Sequence, residues 1–532
     1  MSSWMCDGVP KDGNSYPNAY AHEPYENTGP DCVICGLPKE AMQPGKKTKP
    51  VKTTYAGGSS NAKPQWILPA IIAGAILLTL GGAYGAYRLF SSSQTQTKVP
   101  TTTTTTTTGT SGGLVSANAT NAQLLSQGEK ILLDSTPDKQ AGANAFAQKD
   151  WDNAIASYQK AVNTNANDPE GKIYLNNAKA RKAGNTLTIA VVVPIASSPN
   201  SAKEILRGVA RYQEEFNKSA ARQLEVAIAN DAGSSIAPSL AEDIVNAPDV
   251  LGVIGHGIDS GSQQALRKYQ SAGLAALSPL TLSVSTSGQS TLKTVPIDQK
   301  AGELLGDYLQ AVSKTLTEYA SQKRSPLSVV VFYNADSPYS SQLKDQLIKA
   351  IEKAKGKIIK EVDIAASGFD ASAQMENAKQ KGAEVAFLAL SKNKVSQAIA
   401  LAQANGGSLM LMGGDELYNA DILIQGGDAI KGITLAVPWS FQSNDPFAQD
   451  AVESWKGRVS WRTATAYDAT RALVQAIAQN PSRSGVFGAL EQGITLSGST
   501  TNFNIFNEVP LVEAVPGSNG PPGSQYEFNA IQ

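Results

Sequence analysis

The stretch DVLGVIGHGIDSGSQQALRKYQSAGLAALSP, residues 249–279, decides the fold. An apolar run of strand length ends at Ile254, and Gly255-His256-Gly257 then turns the chain. A helical segment follows, and a second short apolar run, 275–277, stops at Ser278-Pro279. Strand, turn, helix and strand at this spacing predict two parallel strands joined by a helical crossover. Ser260, Ser262, Ser278 and Thr281 fall at the same ends of neighbouring strands. A turn that only reversed the chain needs no such hydroxyls. Hydroxyls beside the unpaired N–H groups of a helix start suit an anion.

The same alternation extends outward from Thr186. Apolar runs at 187–193, 225–229, 250–254 and 275–277 are spaced by amphipathic segments, and so are 328–333, 357–362, 385–390, 409–412 and 433–437. Strands alternating with helices predict an α/β fold with parallel sheets covered on both faces. The runs are too many for one sheet of usual size, so the pattern predicts two sheets, broken near residues 294–298. A second break near 436–438 ends the second set. The later helix, 465–478, has no sheet of its own and is expected to return to the first lobe. Such a chain makes a hinged clamp with a cleft at the carboxyl ends of its strands.

Composition narrows the function. The chain has 532 residues, a formal net charge of −1 and 17% charged residues, and no basic stripe, which argues against nucleic acid as a partner. Its three cysteines all precede residue 36, so no disulfide staples the large C-terminal part. Only His22 and His256 supply imidazoles, and no nucleophile elbow, phosphate loop or zinc-protease motif occurs. Catalysis is not expected.

Residues 1–64 are polar and predicted to be mostly without a packed core. Within them Cys32-Val-Ile-Cys35-Gly forms half of a zinc-knuckle pattern, with Cys6 and His22 as candidates for the remaining ligands of a structural zinc. A degenerate knuckle that binds nothing is the alternative. Residues 65–90 contain WILPAIIAGAILLTLGGAYGAY, 66–87, which holds no charge and is long enough to cross a bilayer. Lysines 46, 47, 49, 52 and 63 precede it, so the N-terminus is expected in the cytoplasm and the rest outside. Residues 91–120 are a Thr/Ser-rich linker. Residues 121–183 read as a helical spacer resembling a tetratricopeptide repeat, with Gly142, Ala154, Tyr158 and Ala161 at matching positions. One repeat cannot bury its own face. The segment is therefore expected to dock on the next domain or, alternatively, to bind a protein partner.

Residues 184–532 form the main domain. Ala210-Arg-Tyr-Gln213, Gly255-His256, Leu277-Ser278-Pro279, the run FYNADSPY (332–339), Met412-Gly-Gly-Asp415 and Thr465-Ala-Tyr467-Asp468-Ala469 occur in an order that resembles the type 1 periplasmic binding proteins of the leucine/isoleucine/valine-binding family. The resemblance covers residues 186–532. It implies a two-lobed fold and a solute-binding protein that captures an amino acid or similar small polar molecule for an ABC permease. It places the solute's carboxylate against Ser260, Ser262, Thr281 and the backbone of Leu280. Tyr339 would close over the solute, and Asp415 would face its ammonium. The sequence departs from the family where Asp259 replaces a serine of the first turn and Ser391 replaces a tyrosine. Both departures imply a wider, more polar pocket. A ligand-sensing or scaffolding receptor acting through the helical repeat and the membrane span is the alternative function.

Overall fold

The computed structural model describes residues 4–6, 9–11, 24–27, 32, 37–42, 119–233, 235–257, 260–278, 284–286, 289–292, 300–497 and 509–531. The expected membrane span, 66–87, and the linker up to residue 118 lie outside them. Among the described residues no helix is long and apolar enough to cross a membrane.

The first of two compact units, 1–107, contains a short antiparallel pair, β1 (Trp4–Cys6) and β2 (Tyr25–Asn27). Cys6 and Cys32 come together there in a small buried cluster with Trp4, Leu37 and Ala41. The second unit, 108–532, holds the clamp.

The clamp's first sheet has the order β3-β5-β4-β6-β7. β4 (Thr186–Val193) lies at its centre, flanked by β5 (Gln223–Asn230) and β6 (Val250–Gly255), with β7 (Ala275–Leu277) beyond. These strands are parallel, as the alternation predicts. After Thr186, every residue of β4 is buried, which is why the run reads as continuously apolar. The edge strand β3 (Leu125–Ser126) pairs antiparallel with β5.

Helices of the 121–183 segment dock on this lobe. α1 (Pro137–Ala147) and α2 (Trp151–Thr164) pack against each other at Gly142, where an added Cβ would sit 2.8 Å from the Tyr158 ring. Tyr158 in turn meets Tyr174 of α3 (Pro169–Ala183) at a ring separation of 5.7 Å. Pro169 opens α3 rather than following a finished repeat, and the Asp168 side chain caps it by accepting from the Gly171 N–H. Asn177 of α3 is fully buried and bonds both backbone groups of Val226 in β5. The helical segment is therefore built into the first lobe's core.

The second sheet has the order β11-β10-β12-β13-β14-β16-β17. β10 (Ser328–Tyr333), β11 (Lys357–Asp363), β12 (Val385–Ala389), β13 (Met410–Gly413) and β14 (Thr434–Ala436) are parallel neighbours in that sheet. The sheet does not end at β14, as the sequence pattern suggests. β16 (Leu511–Pro516) and β17 (Tyr526–Ala530) extend it antiparallel.

Between β14 and β16 the chain revisits the first lobe. Helix α13 (Trp461–Gln479) lies against α4 (Pro199–Asn217) so closely that a Cβ at Gly208 would stand 2.2 Å from the Thr463 carbonyl oxygen. Ala464, Ala466, Ala469, Ala472 and Ala476 make α13 slim enough for this packing. Its Leu473 fills the space over Gly252 of β6. The expected return of the late helix is thus observed. Where the crossings run together, β15 (Ile494–Ser497) pairs antiparallel with β9 (Gln289–Leu292), which also pairs with β8 (Val284–Thr286).

Candidate functional site

The carboxyl ends of β4, β5 and β6 face those of β10, β12 and β13 across a cavity of about 340 Å³. Backbone geometry at the end of β6 opens it. Gly255 has φ +131° and approaches Val192 so closely that a Cβ would lie 2.2 Å from its carbonyl oxygen. His256 follows in the left-handed region at φ +61°, uncommon for a residue with a Cβ.

Burial and a hydrogen bond hold His256 in that conformation. Its Nε2 lies 3.0 Å from the Tyr269 hydroxyl, on helix α6 (Ser260–Ser271). Its Nδ1 is sealed from water with no hydrogen-bond partner, 3.6 Å from the Asp231 carboxylate. Tyr269 is wholly buried. That burial, together with the Asp231 charge, pushes its hydroxyl well above the usual tyrosine value. Asp231, one residue beyond β5, belongs to the cavity wall with His256.

The hydroxyl cluster has two visible roles. Ser262 Oγ accepts from the Gly257 N–H at 3.1 Å, and Ser278 Oγ donates to the His256 carbonyl at 3.3 Å. Both tie the turn down. Of Ser260 only the backbone is described, at the start of α6. Asp259, Leu280 and Thr281 lie outside the described residues.

In the second lobe, Asn334 organises the wall. It donates to Ser391 Oγ at 2.9 Å and to Asp336 at 2.5 Å, and accepts from the Ser391 N–H at 3.0 Å. Ser391 lines the cavity in this fixed orientation. The Asn334 amide, with Lys394 at 2.9 Å, holds the Asp336 carboxyl below the usual aspartate value.

Tyr339 and Asp415 meet each other instead of the cavity. The tyrosine hydroxyl donates to the Asp415 carboxylate at 2.8 Å, and both side chains are buried behind the wall. Burial raises the Asp415 carboxyl above its usual value, against the opposing pull of Tyr339 and Arg462. Its neighbour Glu416 is the carboxylate that reaches the wall, accepting from the Lys392 N–H at 2.9 Å. Burial raises Glu416 as well, with Lys392 opposing.

The crossing helix α13 contributes Trp461 and Arg462 to the wall. The Arg462 guanidinium lies 4.3 Å from the Trp461 ring centroid and donates to the Tyr418 carbonyl at 2.7 Å. Asp231, His256, Glu416, Trp461 and Arg462 were not among the residues expected from sequence to bind solute. Tyr467, part of the family-like phrase, bonds Glu215 at 2.8 Å and packs edge-on against Tyr212.

For the zinc expectation, His22 and Cys35 lie outside the described residues. Among the described residues no group of three or more His, Cys, Asp or Glu side chains is placed to hold a metal ion.

A cavity at the carboxyl ends of two parallel sheets, joined by repeated crossings, defines a two-lobed binding clamp. Residues 186–504 match the model of the periplasmic binding protein family, and the chain belongs to that family. No curated protein matches it. Among solved structures it is similar to the leucine binding protein LivK of Thermotoga maritima, at 17% identity and a TM-score of 0.50, over 65% of this chain and 98% of that one. It is similar to LivJ of Streptococcus pneumoniae in complex with isoleucine, at 17% identity and 0.51, over 65% and 99%. A solute binding protein of Rhodopseudomonas palustris BisB5, in complex with 3,4-dihydroxy benzoic acid, matches at 13% identity and 0.50, over 65% and 97%.

Proposed function

We propose that this protein captures a small polar solute, of amino-acid size and chemistry, by closing its two lobes, and presents it to an ABC importer. The observation that carries this reading is the 340 Å³ cavity, walled by both lobes and mixing carboxylates, cations and hydroxyls. That volume lies at the small end of ligand pockets. A solute bridging the lobes favours the closed state by its differential affinity for that state. The relatives holding isoleucine and a dihydroxybenzoic acid support a small carboxylic solute. In this reading residues 66–87 anchor the chain, with the clamp extracytoplasmic.

Trp461 supplies the test. It is 1% exposed and forms part of the cavity wall, so an entering solute changes its surroundings. Titrating the full-length protein in detergent with amino acids, amides and aromatic acids should produce a saturable change in tryptophan fluorescence. Trp461→Phe should remove that change. A fluorescence signal unaffected by every solute, or one that survives in Trp461→Phe, would count against the cavity as the binding site. The docking of α1–α3 on the first lobe favours one second reading, a receptor whose lobe movement is passed through this segment to the membrane. It predicts solute binding without any associated permease.

A further inference from the structure

A second cavity, of about 390 Å³, lies where the chain crosses between the lobes, and it meets the first only at Ser201 and Arg462. Its walls come from α4 in the first lobe, from residues 456–460 and 462 of the crossing, and from the second lobe at the start of α11 (Ala420–Gly426) and the loop between β16 and β17. Asn200 of α4 reaches across to the second lobe here, donating to the Asp421 carboxylate at 3.2 Å. Asn167, between α2 and α3, also lines the cavity. It and the β16–β17 loop lie outside the stretch 186–504 that matches the family.

Charge sets the two apart. Among the described residues the first cavity has three carboxylates and two cations on its wall. The second has five cations, Lys203, Arg207, Lys456, Arg458 and Arg462, against Glu204 and Glu527. Both carboxylates are already committed. Glu204 accepts from Arg207, from the Ser460 N–H at 3.0 Å and from the Thr463 hydroxyl at 2.8 Å. Glu527 accepts from Arg458 at 3.2 Å and from the Asn519 N–H at 2.7 Å. The cations keep donors in reserve. Arg207 uses Nε and Nη1, and Arg458 uses Nη1 alone, so each guanidinium has an Nη2 without a partner among the described residues. Neither side chain is sealed, at 13% and 27% exposure. The partner of Lys203, Asp134, is itself mostly in solvent, and such a pair holds the lysine weakly. Lys456 is exposed with no carboxylate partner among the described residues. It ends α12 (Pro446–Trp455) at φ +56°, a left-handed position where glycine is the usual residue, so this cation is kept against the backbone's preference.

A cleft with surplus charge of one sign concentrates the opposite ion, and guanidinium forks match paired carboxylate or phosphate oxygens. We propose that this cavity is a second binding site, for a small anion with two or more negative charges, phosphate-bearing or polycarboxylic. It is separate from the solute cavity and does not depend on the capture reading. Because both lobes wall it, an anion seated there favours the lobe arrangement that encloses it.

The test is calorimetric titration of the full-length protein in detergent, at constant ionic strength, with inorganic phosphate, pyrophosphate and citrate, and with acetate as the monovalent control. A multivalent anion should bind saturably and acetate should not. Binding by the phosphates or by citrate distinguishes the two sources of such an anion. Lys456→Gln and Arg458→Gln should each weaken that binding by roughly tenfold or more, the range for a lost charge-assisted hydrogen bond. Lys349→Gln removes the same charge from an exposed position outside the cavity and should leave binding unchanged. Arg458 also holds Glu527, so melting of each variant without anion separates a folding defect from a lost contact. Lys456, which holds no carboxylate, keeps the test decisive if Arg458→Gln unfolds. If no multivalent anion binds the wild type, or if Lys349→Gln weakens binding as much as Lys456→Gln, the assignment is wrong.

Discussion

Asn177 offers the sharpest test of how the helical segment is joined to the clamp. β3 covers the edge of β5 only at Ile228 and Ala229. Next to it, Val226 would leave its N–H and C=O open at the sheet edge. Asn177 takes the place of a strand there. Its amide oxygen accepts from Val226 N at 2.9 Å and from Gln213 Nε2 at 2.7 Å. Its amide nitrogen donates to Val226 O at 2.7 Å and to Gln127 O at 2.6 Å. Asn177→Ala removes all of these bonds at a fully buried position. Each buried polar group left unsatisfied costs about 1–3 kcal/mol, and a water admitted to the vacated space would recover part of it. The expected loss is roughly 2–4 kcal/mol, a large share of the ~5–15 kcal/mol that stabilises a domain. Urea unfolding of the full-length protein, wild type against variant, reads this as a lower midpoint at unchanged slope. A loss under about 1 kcal/mol would refute the reasoning and leave α1–α3 as a loosely attached spacer.

Other substitutions probe separate links. Gly255→Ala meets both a φ of +131° and the Val192 carbonyl, so it should cost about 2 kcal/mol or more and weaken solute binding with it. Parallel melting and titration would show both effects together. Lys139 lies buried between Glu170 at 2.6 Å and Asp168 at 2.9 Å, so Lys139→Met should cost about 3–5 kcal/mol at neutral pH. Burial raises the Glu170 carboxyl above 4.5, with Lys139 opposing, and without the lysine it rises further. A carboxyl raised in the folded state loses stability as pH rises through that range, so the variant's deficit should be smaller near pH 4 than at pH 7. Glu204 shows the opposite sign. Burial would raise it, but Arg207, the Ser460 N–H and the Thr463 hydroxyl bring it below 4.5. Its stabilisation is present above the unfolded value and lost as pH falls through the folded one. Glu204→Gln should therefore be less stable than wild type at pH 7, with the difference shrinking in acid denaturation below about pH 4.

The parallel strands were legible because their burial is two-sided. β4 and β12 leave nothing for solvent to select, and their apolar runs show it. β16 has alternating exposure, and β17 follows a Gly/Pro-rich stretch, so neither resembles the earlier runs and the pattern predicts too short a second sheet. The return of α13 could be read from its alanines and its lack of a strand partner. The place of the cleft was legible as well, since strand ends and turn glycines mark it.

The orientation of its side chains was not. Ser262 and Ser278 sit at the strand ends as expected, yet their visible bonds secure the turn. Asp415 and Glu416 are adjacent in a short 3-10 turn after β13, and sequence alone cannot say which of them the turn sends to the wall. Asp231, just past β5, gains meaning only from His256, just past β6, with β4 lying between those two strands in the sheet. Arg462 at the start of an alanine-rich helix was a signal that periodicity, which reports only on the core, passed over.

Thermal unfolding of the full-length protein against a panel of amino acids, amides, amines and aromatic acids tests the central claim most directly. A solute that binds only the folded clamp adds about 2.7 kcal/mol of stability at a hundredfold excess over its dissociation constant. The account predicts a clear rise in melting temperature with one class of small polar solute from the panel. A melting temperature indifferent to the whole panel would contradict it.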